Sequence, residues 1–171
     1  KIDCWVVNAV YEHFHLHKSQ LADLDRIAIN LSGHSLTDDK LEKFIIEKIA
    51  SGHIPPEKIY FEIREAAAVT NGNRTRLFIK NIKALGCKFA LDDFGSDNSS
   101  YKSSQEFPIE KIKIDGSYIC NMMDNSEVYA KVKSLCEIAK LTDQDIVAKY
   151  VEDKKVMQAL TKLGVDYGSS I

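Results

Sequence analysis

Long apolar runs are missing from this chain of 171 residues. No stretch approaches the roughly 20 apolar residues that a membrane-crossing helix requires, and the opening KIDCWVV lacks the plan of a secretory signal. Any membrane attachment of a full-length protein would therefore lie outside this stretch. An excess of one charge is also lacking: 23 Lys and Arg stand against 25 Asp and Glu, for a net charge of −2. The lysines are interspersed with acids rather than massed, which argues against a polyanion-binding surface and so against a nucleic acid polymer as partner. Cysteine is limited to Cys4, Cys87, Cys120 and Cys136, with no CxxC pair. Most of them sit on apolar faces, which suits buried thiols in a reducing compartment, the cytoplasm, better than a disulfide framework. What the chain does have is a 44% apolar fraction, enough to bury a substantial core as one domain over residues 1–171.

The stretch Phe89 to Gly95, FALDDFG, organises the reading of the rest. A short apolar run from Cys87 to Leu91 leads into Asp92 and Asp93, then an aromatic and a glycine, as a buried strand does when it ends at a polar site. Side chains alternate across a strand, but the chain turns at its end, so both aspartates are expected to face one pocket. Two carboxylates that close repel unless a cation or proton lies between them.

Taken in order, Trp5 to Leu16 has helical spacing and no preceding cap, so the chain is expected to open inside a helix. His13, His15 and His17 point in three directions from such a helix, with only His13 and His17 on one face, and are read as a solvated end rather than a metal site. Arg26 to Ser32 alternates as a strand, and a helix capped by Thr37 or Asp38 runs to Ser51. Lys58 to Ile63 is the next strand, Asn73 to Leu85 a helix, and the Cys87 strand with its paired aspartates follows. Beyond it come a polar loop with a short helix over Ser96 to Gln105, a strand over Ile109 to Asp115, and a helix over Asp124 to Leu141. Asp145 to Tyr150 is a strand, Asp153 to Leu163 a helix, and Val165 to Tyr167 begins another strand.

Strands alternating with helices at intervals of about 20 to 36 residues belong to parallel α/β architecture, a doubly wound sheet or a barrel. Strand after strand ends in a polar group: Asn30, Glu62, Asp92 with Asp93, Lys113 and Lys149. A (β/α)8 barrel brings all such ends to one mouth, whereas an open sheet gathers only those near its switch point. A TIM-like barrel is therefore the expected fold. A complete one takes about 250 residues, so this chain is expected to fall short by about two strands, mostly at its N-terminus. Open sheet edges would then pair with the omitted strands or with a second copy of the chain as a homodimer.

The ordered set INLS (Ile29 to Ser32), EIRE (Glu62 to Glu65), LDDFG (Leu91 to Gly95), Ser99 with Ser100, KIKID (Lys111 to Asp115), VAKYVE (Val147 to Glu152) and LGVDYG (Leu163 to Gly168) resembles the motifs of the EAL family. Its members are TIM-like barrels that hydrolyse cyclic di-GMP to linear pGpG in bacterial signal transduction. The resemblance implies that Asn30, Glu62, Asp92 and Asp93 fall on positions binding Mg²⁺ or Mn²⁺. It places Lys113 on the lysine that holds the attacking water and phosphate, Glu65 on the glutamate anchoring the loop after the aspartate pair, and Glu152 on the last glutamate of EGVE. Asp115 falls in the KID motif, with a ligand-binding or loop-anchoring role. Hard cations with oxygen ligands suit these residue types, since two metals can clamp the attacking and leaving oxygens of a phosphodiester. An upstream sensory or GGDEF-like domain and a protein partner usually accompany such barrels.

The departures from the family pattern carry the functional expectation. Lys149 and Tyr150 stand where EGVE has its first glutamate and its glycine, so a cation replaces a carboxylate. A lysine among acids keeps its proton and could itself neutralise Asp92 and Asp93 in competition with a metal. Removing a general base costs about 10²–10⁴-fold in rate. SDNSSY replaces TGYSSL after the aspartate pair, Gly116 replaces the arginine of KIDRS, and Ser169 aligns with the glutamine of QGY. The preferred expectation is a degenerate EAL domain that binds cyclic di-GMP as a receptor or acts as a regulatory, protein-interaction module. Two alternatives stay open: an active metal-dependent phosphodiesterase in which Glu152 supplies the base, and a structural scaffold.

Overall fold

Amphipathic stretches form helices and apolar runs form parallel strands in the computed structural model, which describes residues 2–96 and 100–169. The elements are α1 (Ile2–Leu16), α2 (Lys18–Asp23), β1 (Ile27–Leu31), α3 (Asp39–Ala50), β2 (Ile59–Arg64), α4 (Glu65–Thr70), α5 (Gly72–Lys83), β3 (Lys88–Phe94), α6 (Ser100–Glu106), β4 (Lys111–Ile114), α7 (Gly116–Asn121), α8 (Ser126–Leu141), β5 (Asp145–Lys149), α9 (Lys154–Leu163) and β6 (Tyr167–Ser169). The strands stand in sequence order in a six-stranded sheet. A sequential order has no switch point, which decides for barrel connectivity over a doubly wound sheet. The strands also read as near-continuous apolar runs because both faces are covered, as in β5, where Ile146, Val147 and Ala148 are all buried.

Side-chain caps set the helix starts. Of the two candidates before α3, Asp38 is the cap, accepting from the Lys40 amide, and Asp153 accepts from the Lys155 amide to open α9. The helix expected from Asp124 starts two residues on, at Ser126, because the Asn125 side chain caps it by accepting from the amides of both Glu127 and Val128. Helices α2, α4 and α7 were not expected; each has six residues, too few to establish an apolar period.

Contacts divide the chain into two compact units, residues 1–63 with 67–89 and residues 64–66 with 90–171, so that β3 passes from one to the other between Phe89 and Ala90. In the first, the core includes Phe61, Phe78 and Phe89, with ring centroids 5.5 Å apart for Phe61 and Phe89 and 6.1 Å apart for Phe78 and Phe89. Here β1 and β2 pair in parallel register, Ile27 with Ile59 through Leu31 with Ile63. The histidines of α1 are exposed; the His13 and His17 rings stack at 4.5 Å and His15 lies against His53 at 4.2 Å. In the second unit β3, β4, β5 and β6 pair in parallel around Leu91, Phe94, Ile112, Ile114, Ile146 and Ala148, all buried. No helix of the described residues is long and apolar enough to cross a membrane.

Cys87 and Cys136 are buried and Cys4 half-buried, while Cys120 is exposed on α7. Burial pushes the Cys87 thiol up to about 12, with the Glu57 carboxylate adding to the shift, and the Cys136 thiol up to about 11. Thiolate is the reactive form. Disulfide-exchange labelling of the native chain at mildly alkaline pH should therefore modify Cys120 first and leave Cys87 and Cys136 untouched until denaturant is added; mass mapping of labelled peptides checks the order, and early labelling of Cys87 would contradict the burial.

Candidate functional site

The aspartate pair owes its geometry to a bulge. In the β3–β4 ladder Leu91 pairs with Ile112 and Phe94 with Ile114: three steps along β3 match two along β4, so β3 carries one extra residue. Asp93 absorbs it with a φ of 53°, in the left-handed region that aspartate tolerates better than most residues. The usual alternation breaks there, and adjacent side chains turn to the same partner. Lys149 Nζ, at the end of β5, donates to Asp92 Oδ1 at 2.8 Å and to Asp93 Oδ1 at 2.5 Å. Asp93 Oδ2 faces Arg64 Nε at 3.5 Å, and Asp92 Oδ1 also accepts from the Asp93 amide at 2.9 Å.

The Lys149 and Asp92 side chains are 13% and 15% exposed, while Arg64 is 77% exposed. The pairing with Lys149 is therefore the one shielded from water, and Arg64 adds a solvent-screened second cation. Burial alone would pull the Lys149 ammonium below its ordinary value, but hydrogen bonds and attraction from Asp92 and Asp93 outweigh it and hold the pKa raised. Lys149 is thus a proton-bearing cation, not a base.

Glu65 opens α4 fully buried, which a carboxylate tolerates only when its oxygens are bonded. Its Oε2 accepts from the Gly95 amide at 2.9 Å and its Oε1 from Ser103 Oγ at 2.6 Å, so it grips the chain just after the aspartates and again on α6. Gly95 has a φ of 95°, and a Cβ there would lie 2.6 Å from Leu135 Cδ1, so only glycine fits. The Gly95 carbonyl accepts from the Tyr118 hydroxyl at 3.0 Å, and Lys131 Nζ lies 2.5 Å from that hydroxyl and 4.1 Å from the ring centre.

Other expected positions fall as follows. Asn30 pairs in register with Glu62 on neighbouring strands, the first exposed and the second half-buried. Lys113 is half-buried on β4, in register with Val147. Asp115 caps α7, its Oδ1 accepting from the Ser117 amide at 2.8 Å and hydroxyl at 2.7 Å. Glu152 is exposed in the segment before α9. Ser169 is in register with Lys149 at the end of β6. Ser99 lies outside the described residues. Among the described residues no group of three or more His, Cys, Asp and Glu side chains is placed to hold a metal ion. The aspartate pair fits a divalent ion poorly: the inner oxygens of both carboxylates are already engaged by one ammonium, which a metal would have to displace.

Sequence reading missed Arg64, Ser103, Tyr118 and Lys131. Arg64 was discoverable, since it sits inside the EIRE stretch beside two strand-end acids. The other three carry no motif or spacing signal, and only the tertiary fold brings them to Glu65 and Gly95.

The chain matches the family model of the EAL domain over residues 1–169. It belongs to the EAL domain family. This EAL domain is 32% identical over 166 residues to the cyclic di-GMP phosphodiesterase PdeF of Escherichia coli, covering 97% of this chain and 22% of PdeF. It is 36% identical over 149 residues to the cyclic di-GMP phosphodiesterase PdeB of Shewanella oneidensis, covering 87% of this chain and 17% of PdeB. The chain thus spans about a fifth of the length of these relatives. Of solved structures, the FimX EAL domain from Pseudomonas aeruginosa bound to c-di-GMP superposes with a TM-score of 0.86 at 23% identity, over 98% of this chain and 66% of that one. A PaMucR phosphodiesterase in c-di-GMP complex gives a TM-score of 0.86 at 24% identity, over 96% and 66%. The fold is that of the EAL-type TIM-like barrel, incomplete in this chain.

Lys149→Met leaves two carboxylates together without their shielded cation and should destabilise the EAL domain by about 1–3 kcal/mol, read from denaturant midpoints at neutral pH. A raised folded-state pKa means that the lysine's contribution is fully present below its ordinary value of 10.5 and is lost as pH climbs through the higher folded value. The gap between wild type and variant should stay constant through the neutral range and close only above that ordinary value. A gap that closes near neutral pH would show that Lys149 is not the groups' counter-ion.

Proposed function

We propose that this EAL domain is a receptor that binds cyclic di-GMP without hydrolysing it. The observation that carries the reading is the Lys149 ammonium, within hydrogen-bonding distance of both Asp92 and Asp93. It stands where the family motif has a carboxylate, keeps its proton, and occupies the acceptors that a Mg²⁺ or Mn²⁺ ion would need. No route is therefore left for Lys149 to activate water, and Asn30 and Glu62 alone are too few oxygen donors for a catalytic centre. Glu152, the remaining carboxylate of the motif, is exposed.

Two features support retained binding. The segment after the aspartates is held in place, with Glu65 bonded to Gly95 and Ser103, and EAL domains of the same fold are named as bound to c-di-GMP. Nucleotide binding rests on the mouth of the barrel and its phosphate contacts, with Lys113 as a cation towards the C-terminal end of β4, rather than on metal ligation. We place the domain in the cytoplasm, working beside a sensory or GGDEF-like domain and a protein partner. A phosphodiesterase activity, as the names of the 32–36% identical relatives would have it, is the competing outcome.

Isothermal titration with cyclic di-GMP in EDTA and again in Mn²⁺, followed by chromatography for pGpG, decides between them. Binding in EDTA with no pGpG in Mn²⁺ is expected; release of pGpG would overturn the reading, and absence of binding under both conditions would reduce the domain to a scaffold. In a parallel measurement, Mn²⁺ should leave the melting temperature of the wild type unchanged and raise that of Lys149→Glu, since only the variant presents a third carboxylate in place of the cation. A wild-type shift as large as the variant's would show that Lys149 does not exclude the ion.

A further inference from the structure

Tyr150, directly after β5, has a φ of 59°, a left-handed conformation in which a bulky aromatic is a true outlier. A strained aromatic persists only where its surroundings hold it. Gly116 leaves the room in which this ring sits. A Cβ built on Gly116 would lie 2.0 Å from Tyr150 Cδ2 and 2.5 Å from Cε2, so the ring rests against bare backbone at the first residue of α7. Gly116 is not among the residues with positive φ. Its lack of a side chain is thus a matter of room for the ring and not of backbone freedom.

Tyr150 nevertheless remains 48% exposed. A ring whose job was to fill the barrel mouth would be buried like the core aromatics. This one is seated along one edge and open elsewhere, next in sequence to the lysine that neutralises Asp92 and Asp93. A rigid, part-exposed aromatic with few rotamers to lose is what a planar heteroaromatic ring stacks on. We propose that Tyr150, seated on Gly116, is a stacking platform for a purine base of the bound nucleotide and a specificity-determining residue of this domain. The platform presupposes the receptor reading only for the identity of the whole ligand; stacking itself can be tested with a mononucleotide.

Tyr150→Trp placed in a Trp5→Phe background supplies a local reporter, because Trp5 is the chain's single tryptophan and is 69% exposed. Millimolar GMP should quench the emission of the new indole, and ribose 5-phosphate should not. Equal quenching by both, or by neither, overturns the platform. In titrations of the otherwise unaltered domain with cyclic di-GMP, Tyr150→Phe should bind as the wild type does, and Tyr150→Leu about tenfold more weakly, the loss of one base stack. Gly116→Ala, which moves the ring but keeps it, should also weaken binding. Tighter binding by Tyr150→Leu would identify the ring as an obstruction and sink the proposal. Quenching by GMP without any cyclic di-GMP affinity would remove the receptor reading and leave the platform, whereas cyclic di-GMP affinity without quenching would do the reverse.

Discussion

The site depends on one repulsion and its relief. Asp92 and Asp93 are adjacent in sequence, turned to one side by the bulge in β3, and largely withdrawn from water; left alone they would destabilise the strand end that carries them. Lys149 removes that cost from inside the fold, because β5 lies two strands along and its last residue reaches both carboxylates. The ion triad therefore fixes the ends of β3 and β5 against each other across β4. Glu65 then sets the path beyond the aspartates by holding the Gly95 amide, and Tyr118 holds the carbonyl of the same residue. The peptide groups on either side of Gly95 are each restrained by a side chain from a different element, so the conformation after the bulge is dictated tertiarily rather than by local propensity.

The legible parts of this fold were those with a long period or a covalent neighbour. Strands β1 to β5 and the long helices α1, α3, α5, α8 and α9 follow from apolar spacing, and the sequential polar strand ends pointed to a barrel before any pairing was known. The six-residue helices did not show, since a helix of that length has no repeat to read. Asp92 and Asp93 were visible as a pair, but the reason both face one partner, a positive φ at Asp93 within a bulge, has no signature in the letters DD. Lys149 was readable as a cation in a carboxylate's place only because the surrounding VAKYVE resembles a family motif; that it donates to both aspartates could be expected from charge, not from spacing.

Glu65 and Gly116 mark two limits of that legibility. A buried carboxylate must be satisfied, so a glutamate following a strand announces partners without naming them, and Ser103 lies too far along the chain to be inferred. Gly116 looks in sequence like a lost side chain. In the fold it is half of a pair, its missing Cβ being the space in which the Tyr150 ring rests.

An internal ammonium differs from a divalent ion in being present at a fixed stoichiometry of one per chain. Mass action governs the occupancy of a dissociable ion, so an aspartate pair neutralised by Mg²⁺ tracks the supply of that ion. The same pair neutralised by Lys149 does not. The charge balance of Asp92 and Asp93 is therefore set within the chain, by a cation whose presence no concentration governs.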